Sequence, residues 1–179
     1  MRELVIIRGG GDLASGVIQK FHRSGIPILV LESKNPSFIR RKVSYGEAVY
    51  GGEILLEGSR AKYLGDADEN LDWDEIFKGE YIPLITDPGM KIFEVIEKYN
   101  CKKEKEYDKV KIIALIDAII AKKNLGVKRD LAPITIGLGP GFYAGKDVDV
   151  VIETMRGHNL GKLILEGEAL PNTGIPGMV

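Results

Sequence analysis

Short unbroken apolar runs alternate along this chain with apolar residues at helical spacing. Leu4-Val5-Ile6-Ile7 is a compact run with β-branched residues, bounded by glycine, and reads as a buried parallel strand. Leu13, Ala14, Val17, Ile18 and Phe21 then recur as one helical stripe. Gly25 closes that helix as a C-cap, and Ile26-Pro27-Ile28-Leu29-Val30-Leu31 is the next strand.

The later pattern is more varied. Residues 43–52 carry mixed signals and read as a short strand followed by a helical turn. Glu53-Ile54-Leu55-Leu56-Glu57 and Arg60-Ala61-Lys62-Tyr63-Leu64 flank Gly58-Ser59, a hairpin signal that departs from simple βαβ alternation. Trp73, Ile76 and Phe77 space as one side of a short helix, and Tyr81-Ile82-Pro83-Leu84-Ile85-Thr86 as a strand. A helix over residues 90–99 turns Ile92, Phe93, Val95 and Ile96 inward. Strands follow at residues 110–116, 133–138 and 162–165, with a short helical or extended piece after Ile116, and residues 148–153 are apolar and β-branched. The expected fold is α/β, a Rossmann-like, mostly parallel sheet with flanking helices and a β-hairpin excursion. Residues 1–170 form one domain in this reading, and residues 171–179 a tail.

The first strand–helix junction carries candidate chemistry. Gly9-Gly10-Gly11-Asp12-Leu13-Ala14-Ser15-Gly16 combines permissive glycines with a helix N-terminus, whose N–H groups and dipole suit a phosphate. Ala14 stands where the third small residue of Gly-x-Gly-x-x-Gly/Ala lets helix and strand pack closely. Glu32 ends the second strand about 20 residues on, where an acid meets an unphosphorylated ribose. A ligand-free tight turn is the other reading. Arg40 and Arg41, beside Lys42, are either a solvated face or an anion clamp. Gly139-Pro140-Gly141 is either a second ligand nest or a tight turn. Acids or glycines close several strands (Glu32, Asp87, Asp117, Gly139), at the ends where open parallel sheets bind ligands.

Composition narrows the partners. The 179 residues, 44% hydrophobic, suffice for a substantial core. A net charge of −1 gives no electrostatic reason to expect nucleic acid or an anionic membrane. No apolar run approaches the about 18 residues of a membrane span, and the chain enters a strand without signal-peptide architecture. Cys101 is the one cysteine, so neither an internal disulfide nor a cysteine-rich metal site is expected. The expectation is a cytoplasmic protein with no metal site of its own; homo-oligomerisation is left open.

Several separated motifs then carry a resemblance. Besides the first glycine turn they are Ile39-Arg40-Arg41, Glu47-Ala48-Val49-Tyr50, Asp117-Ala118-Ile119-Ile120-Ala121-Lys122, Gly137-Leu138-Gly139-Pro140-Gly141-Phe142 and Val151-Ile152-Glu153-Thr154-Met155-Arg156-Gly157-His158-Asn159-Leu160-Gly161. Pro171-Asn172-Thr173-Gly174-Ile175-Pro176-Gly177 completes the set. In this order they resemble the YqeB-type family of selenium-dependent molybdenum hydroxylase accessory proteins, least distinctively over residues 60–109. The chain is also similar to XdhC-type chaperones, which load sulfurated molybdenum cofactor and share a Rossmann-like part. The resemblance implies a partner in the hydroxylase or its cofactor-maturation machinery. Members of that family usually continue beyond the Asn-Thr-Gly-Ile-Pro-Gly stretch, and the sequence given runs to Val179.

A molybdopterin-type cofactor in dinucleotide form carries a phosphate that suits the glycine turn, and NAD suits it too. Arg40, Arg41 and Arg156 are candidate anion partners, and His158 is a candidate proton donor, acceptor or ligand. Glu153, Arg156 and His158 together are either a functional group or a loop-holding ion pair. The leading expectation is an accessory protein that binds a nucleotide-containing ligand. An NAD-dependent oxidoreductase and a pure interaction scaffold are the alternatives.

Overall fold

The computed structural model describes residues 1–171. The chain is an α/β, Rossmann-like protein that divides into two compact units, Met1–Ile112 and Ile113–Val179. The expected tail at 171–179 lies, except for Pro171, outside the described residues, as does most of the last quoted motif.

In the first unit, β1 (Arg2–Arg8) leads through a glycine turn into α1 (Asp12–Arg23) and β2 (Ile28–Glu32). A single helical turn, α2 (Ala48–Gly51), precedes the hairpin β3 (Glu53–Leu56) and β4 (Ser59–Asp66). Then come α3 (Trp73–Lys78), β5 (Ile82–Thr86) and α4 (Ile92–Cys101). The strands lie in the order β1-β2-β5-β4-β3. Pairing is parallel between β1 and β2, β2 and β5, and β4 and β5; only the β3–β4 hairpin is antiparallel. The hairpin is therefore the sheet's margin, docked through β4.

Local chemistry explains these boundaries. Leu4, Ile6, Ile7, Leu29, Val30, Leu84 and Ile85 are buried, which explains unbroken apolar runs in place of alternation. Helix α1 ends in a Schellman motif: Ile26 N–H donates to Phe21 O at 3.2 Å and Gly25 N–H to His22 O at 3.0 Å, with Gly25 at φ +71°. Asp72 caps α3 by accepting from Glu75 N–H at 3.0 Å. The hairpin turn is Glu57-Gly58, at φ +46° and +81°, one residue earlier than the pattern predicts. No strand forms at residue 43. Residues 41–47 are instead 3₁₀ turns, because Ser44 hydroxyl and Tyr45 amide bond Arg40 O and Ser15 Oγ rather than a neighbouring strand.

In the second unit, β6 (Val110–Asp117, beginning just before the boundary), β7 (Thr135–Leu138), β9 (Val150–Ile152) and β10 (Leu163–Ile164) lie in the order β6-β7-β9-β10. The first three are parallel and β10 is antiparallel. A separate ribbon pairs β8 (Tyr143–Ala144) with β11 (Gly167–Glu168). The segment after β6 is irregular, with Ile120 and Lys122 at positive φ, 58° and 59°.

Asp149 ties this unit together. Its carboxylate accepts from Thr135 N–H and Oγ, each at 2.8 Å, and from Arg129 Nε at 2.8 Å. Burial pushes the Asp149 carboxyl up, but the Thr135 and Arg129 donors outweigh it and hold it below its ordinary value of 3.8. The contribution is therefore complete above that ordinary value and lost as pH falls through the lowered native one. Asp149→Ala is expected to cost about 2–3 kcal/mol in urea unfolding near neutral pH. The gap from wild type should narrow below about pH 4.

Candidate functional site

The β1–α1 turn is built from its backbone outward. Gly9, at φ +94°, reverses the chain and donates to Leu31 O at 2.8 Å. Gly10 N–H donates to Glu32 Oε2 at 2.7 Å, while Ser33 N–H donates to Glu32 Oε1 at 2.6 Å. Glu32 thus joins the turn to the end of β2 and keeps lone pairs for a further donor such as a hydroxyl. Gly11 is the N-cap residue of α1, and its amide has no protein acceptor among the described residues. Ala14 is fully buried against the sheet.

A strap over residues 36–47 holds this turn. Gly46 N–H donates to Gly10 O at 2.8 Å, and Tyr45 N–H to Ser15 Oγ at 2.8 Å. Ser15 Oγ donates in turn to Gly11 O at 2.8 Å, so this hydroxyl is a structural latch. Arg40 forms an ion pair with Asp12, in the first turn of α1. Arg41 pairs with Glu47 through Nε and Oε2 at 2.8 Å and lies over the Tyr50 ring. That pairing holds the Glu47 carboxyl below its ordinary value and the Arg41 guanidinium above its own. The arginines are thus beside the turn, each engaged with a carboxylate; an incoming anion would exchange with those partners.

The glycines differ in what the fold demands of them. A Cβ on Gly10 would lie 2.7 Å from Gly46 Cα, a backbone clash. A Cβ on Gly11 would meet only the Phe38 ring, at an ordinary 3.7 Å, and its φ of −66° suits any residue. Packing explains Gly10 but not Gly11. The β5–α4 turn makes a useful contrast. There the buried Asp87 carboxylate accepts from the amides of Lys91 and Ile92, each at 2.8 Å, so this helix start carries its own anion. Arg8, at the end of β1, is buried and donates to Pro88 O at 3.3 Å. Arg8, Phe38 and Gly46 are residues of this site that the sequence pattern does not mark as candidates. A cation ending an apolar strand was the available signal for Arg8; the other two had none.

The second unit holds the remaining sequence candidates. Gly139 and Gly141 stand at φ +74° and +110°. A Cβ on Gly139 would lie 2.7 Å from Thr154 Oγ1, and one on Gly141 2.4 Å from Lys123 N. Close packing accounts for both glycines. Asp117 accepts from Ile119 N–H at 3.1 Å. The buried Glu153 carboxylate accepts from Met155 N–H at 2.8 Å and Leu170 N–H at 2.9 Å, holding the loop by backbone bonds. Arg156 and His158 are exposed, and neither is ion-paired with Glu153.

Comparison with known proteins gives one informative match. The chain is 41% identical over 177 residues to the uncharacterized protein YqeB of Escherichia coli (strain K12). The alignment covers 99% of this chain and 30% of that relative. No family model matches the chain. No solved structure matches it significantly. Among the described residues no helix is long and apolar enough to cross a membrane.

The glycine assignments separate by mutation. Gly10→Ala is expected to cost about 1–3 kcal/mol in urea unfolding. Gly11→Ala should cost less than about 1 kcal/mol. Equal large losses would show that Gly11, too, is held by packing.

Proposed function

From similarity that supports a place in the YqeB family, we propose that this chain binds a nucleotide-containing ligand at its β1–α1 turn, as an accessory protein for a selenium-dependent molybdenum hydroxylase. The ligand is molybdenum cofactor or a precursor. The partner is the hydroxylase or the machinery that matures its cofactor, in the cytoplasm. The molybdenum and selenium role comes from the family resemblance; YqeB itself is named only as uncharacterized. The chain spans 30% of that relative's length, so the role of the whole assembly is part of the proposal.

One observation carries the binding claim. Gly11 is a glycine that neither dihedral nor packing requires, at the start of a helix. A guest approaching its backbone gives a physical reason for the missing side chain. Glu32, already oriented by Gly10 and Ser33, supports a ribose hydroxyl nearby. Arg40 is within reach to neutralise a phosphate if it leaves Asp12. The same Glu32 geometry supports the second reading, an NAD-dependent oxidoreductase. That reading requires a change in reduced-nicotinamide absorbance with substrate.

Calorimetric titration with NAD, NADP, ATP, CTP and molybdopterin ligands tests the proposal. Binding of a molybdopterin dinucleotide is expected, with Gly11→Val weakening it by about 100-fold or more while the fold survives. Among the nicotinamides, NAD should bind better than NADP, because Glu32 repels a 2′-phosphate. A folded wild-type chain that binds none of these ligands removes the claim.

A further inference from the structure

Beside α1, reaching Asp12 and Ser15 in its first turn, lies a cavity of about 410 Å³. Gly16, Gln19, Lys42, Val43, Tyr45 and Leu55 line most of it. Gly16 is inside a helix, where glycine is unfavourable relative to alanine, and a Cβ on it would meet nothing within 4 Å. Neither the helix nor its packing accounts for that glycine. Its absent side chain leaves a flat stretch of helix backbone as one wall. Val43 and Leu55, respectively 51% and 66% exposed, supply apolar surface around it.

The polar groups are sparse and specific. Gln19 Nε2 reaches Tyr45 Oη at 3.4 Å and Glu57 Oε2 at 3.5 Å, both at the outer limit for hydrogen bonds. Its amide can exchange these contacts for a ligand edge bearing both donor and acceptor. Asp12 is paired with Arg40, and Glu57 lies 4.0 Å from Arg23. Lys42 is the lining cation with no ion-pair partner among the described residues.

We propose that this cavity is a second binding site, for a planar heteroaromatic ring carrying an anionic group. The ring lies against Gly16, with Val43 and Leu55 covering it. Gln19 reads its polar edge, and Lys42 takes the charge. Asp12 and Ser15 border both sites, but Gln19, Lys42, Val43 and Leu55 take no part in the glycine-turn proposal, so this one stands whether or not that turn binds a nucleotide.

Quinoline-2-carboxylate, which has no phosphate or ribose, is the probe. It is titrated into the full chain by calorimetry and followed by amide chemical shifts. Saturable binding is expected, with shifts centred on Gly16, Gln19 and Tyr45. Gly16→Leu fills the cavity with a better helix former and should weaken binding at least about tenfold. Lys42→Ala should weaken quinoline-2-carboxylate about fivefold while leaving uncharged quinoline within about twofold. Absence of binding to the folded wild-type chain overturns the proposal. So do shifts centred on Gly11 that spare Gly16, or affinity unchanged in Gly16→Leu.

Discussion

The backbone of Gly10 touches the backbone of Gly46, and the first turn depends on that contact. Both polar groups of Gly10 are used: its N–H on Glu32 and its carbonyl on Gly46. The approach is too close for a side chain on Gly10. It brings the strap down onto α1, where Ser15 captures Tyr45 N–H and Phe38 covers one side of Gly11. Buried backbone groups left without partners would be costly, so these bonds close an account that neither helix nor sheet can close here. The turn is thereby held in one shape by its own backbone.

Two strand-to-helix turns in the same unit solve one electrostatic problem differently. A helix start concentrates unpaired N–H groups and a partial positive charge. At α4 the buried carboxylate of Asp87 answers it directly, with two bonds to the first amides. At α1 the nearest acids are arranged otherwise. Glu32 bonds the turn before the helix, and Asp12 is engaged by Leu13 N–H and by Arg40. The difference lies in where the carboxylate is attached: Asp87 bonds two amides at the start of α4, whereas Asp12 bonds one at the start of α1.

The glycines of this chain differ in what the fold asks of them. The second unit's Gly139 and Gly141 are packed against Thr154 and the backbone of Lys123, and their positive φ values are those of a tight turn. Its acids are committed in the same structural way, Glu153 to two amides and Asp149 to Thr135 and Arg129. Gly11 and Gly16 contrast with them, because a Cβ fits at either without a clash.

The sequence by itself determined what short-range physics controls. The apolar run of β1, the stripe of α1, the Gly25 cap and the hairpin near Gly58 all express local periodicity or dihedral preference, and they formed within a residue or a few of expectation. The Glu32 position at the end of β2 was legible for the same reason, since a strand–turn–helix–strand unit has a fixed length. Tertiary structure alone decided the strap. The expected strand beginning at residue 43 did not form because Ser15 and Gly10, far away in sequence, offered hydrogen-bond partners to Tyr45 and Gly46. It also decided which glycines are required by packing and that Arg40 meets Asp12. Those outcomes depend on which atoms lie within a few ångströms across the fold, and spacing along a single chain does not encode that distance.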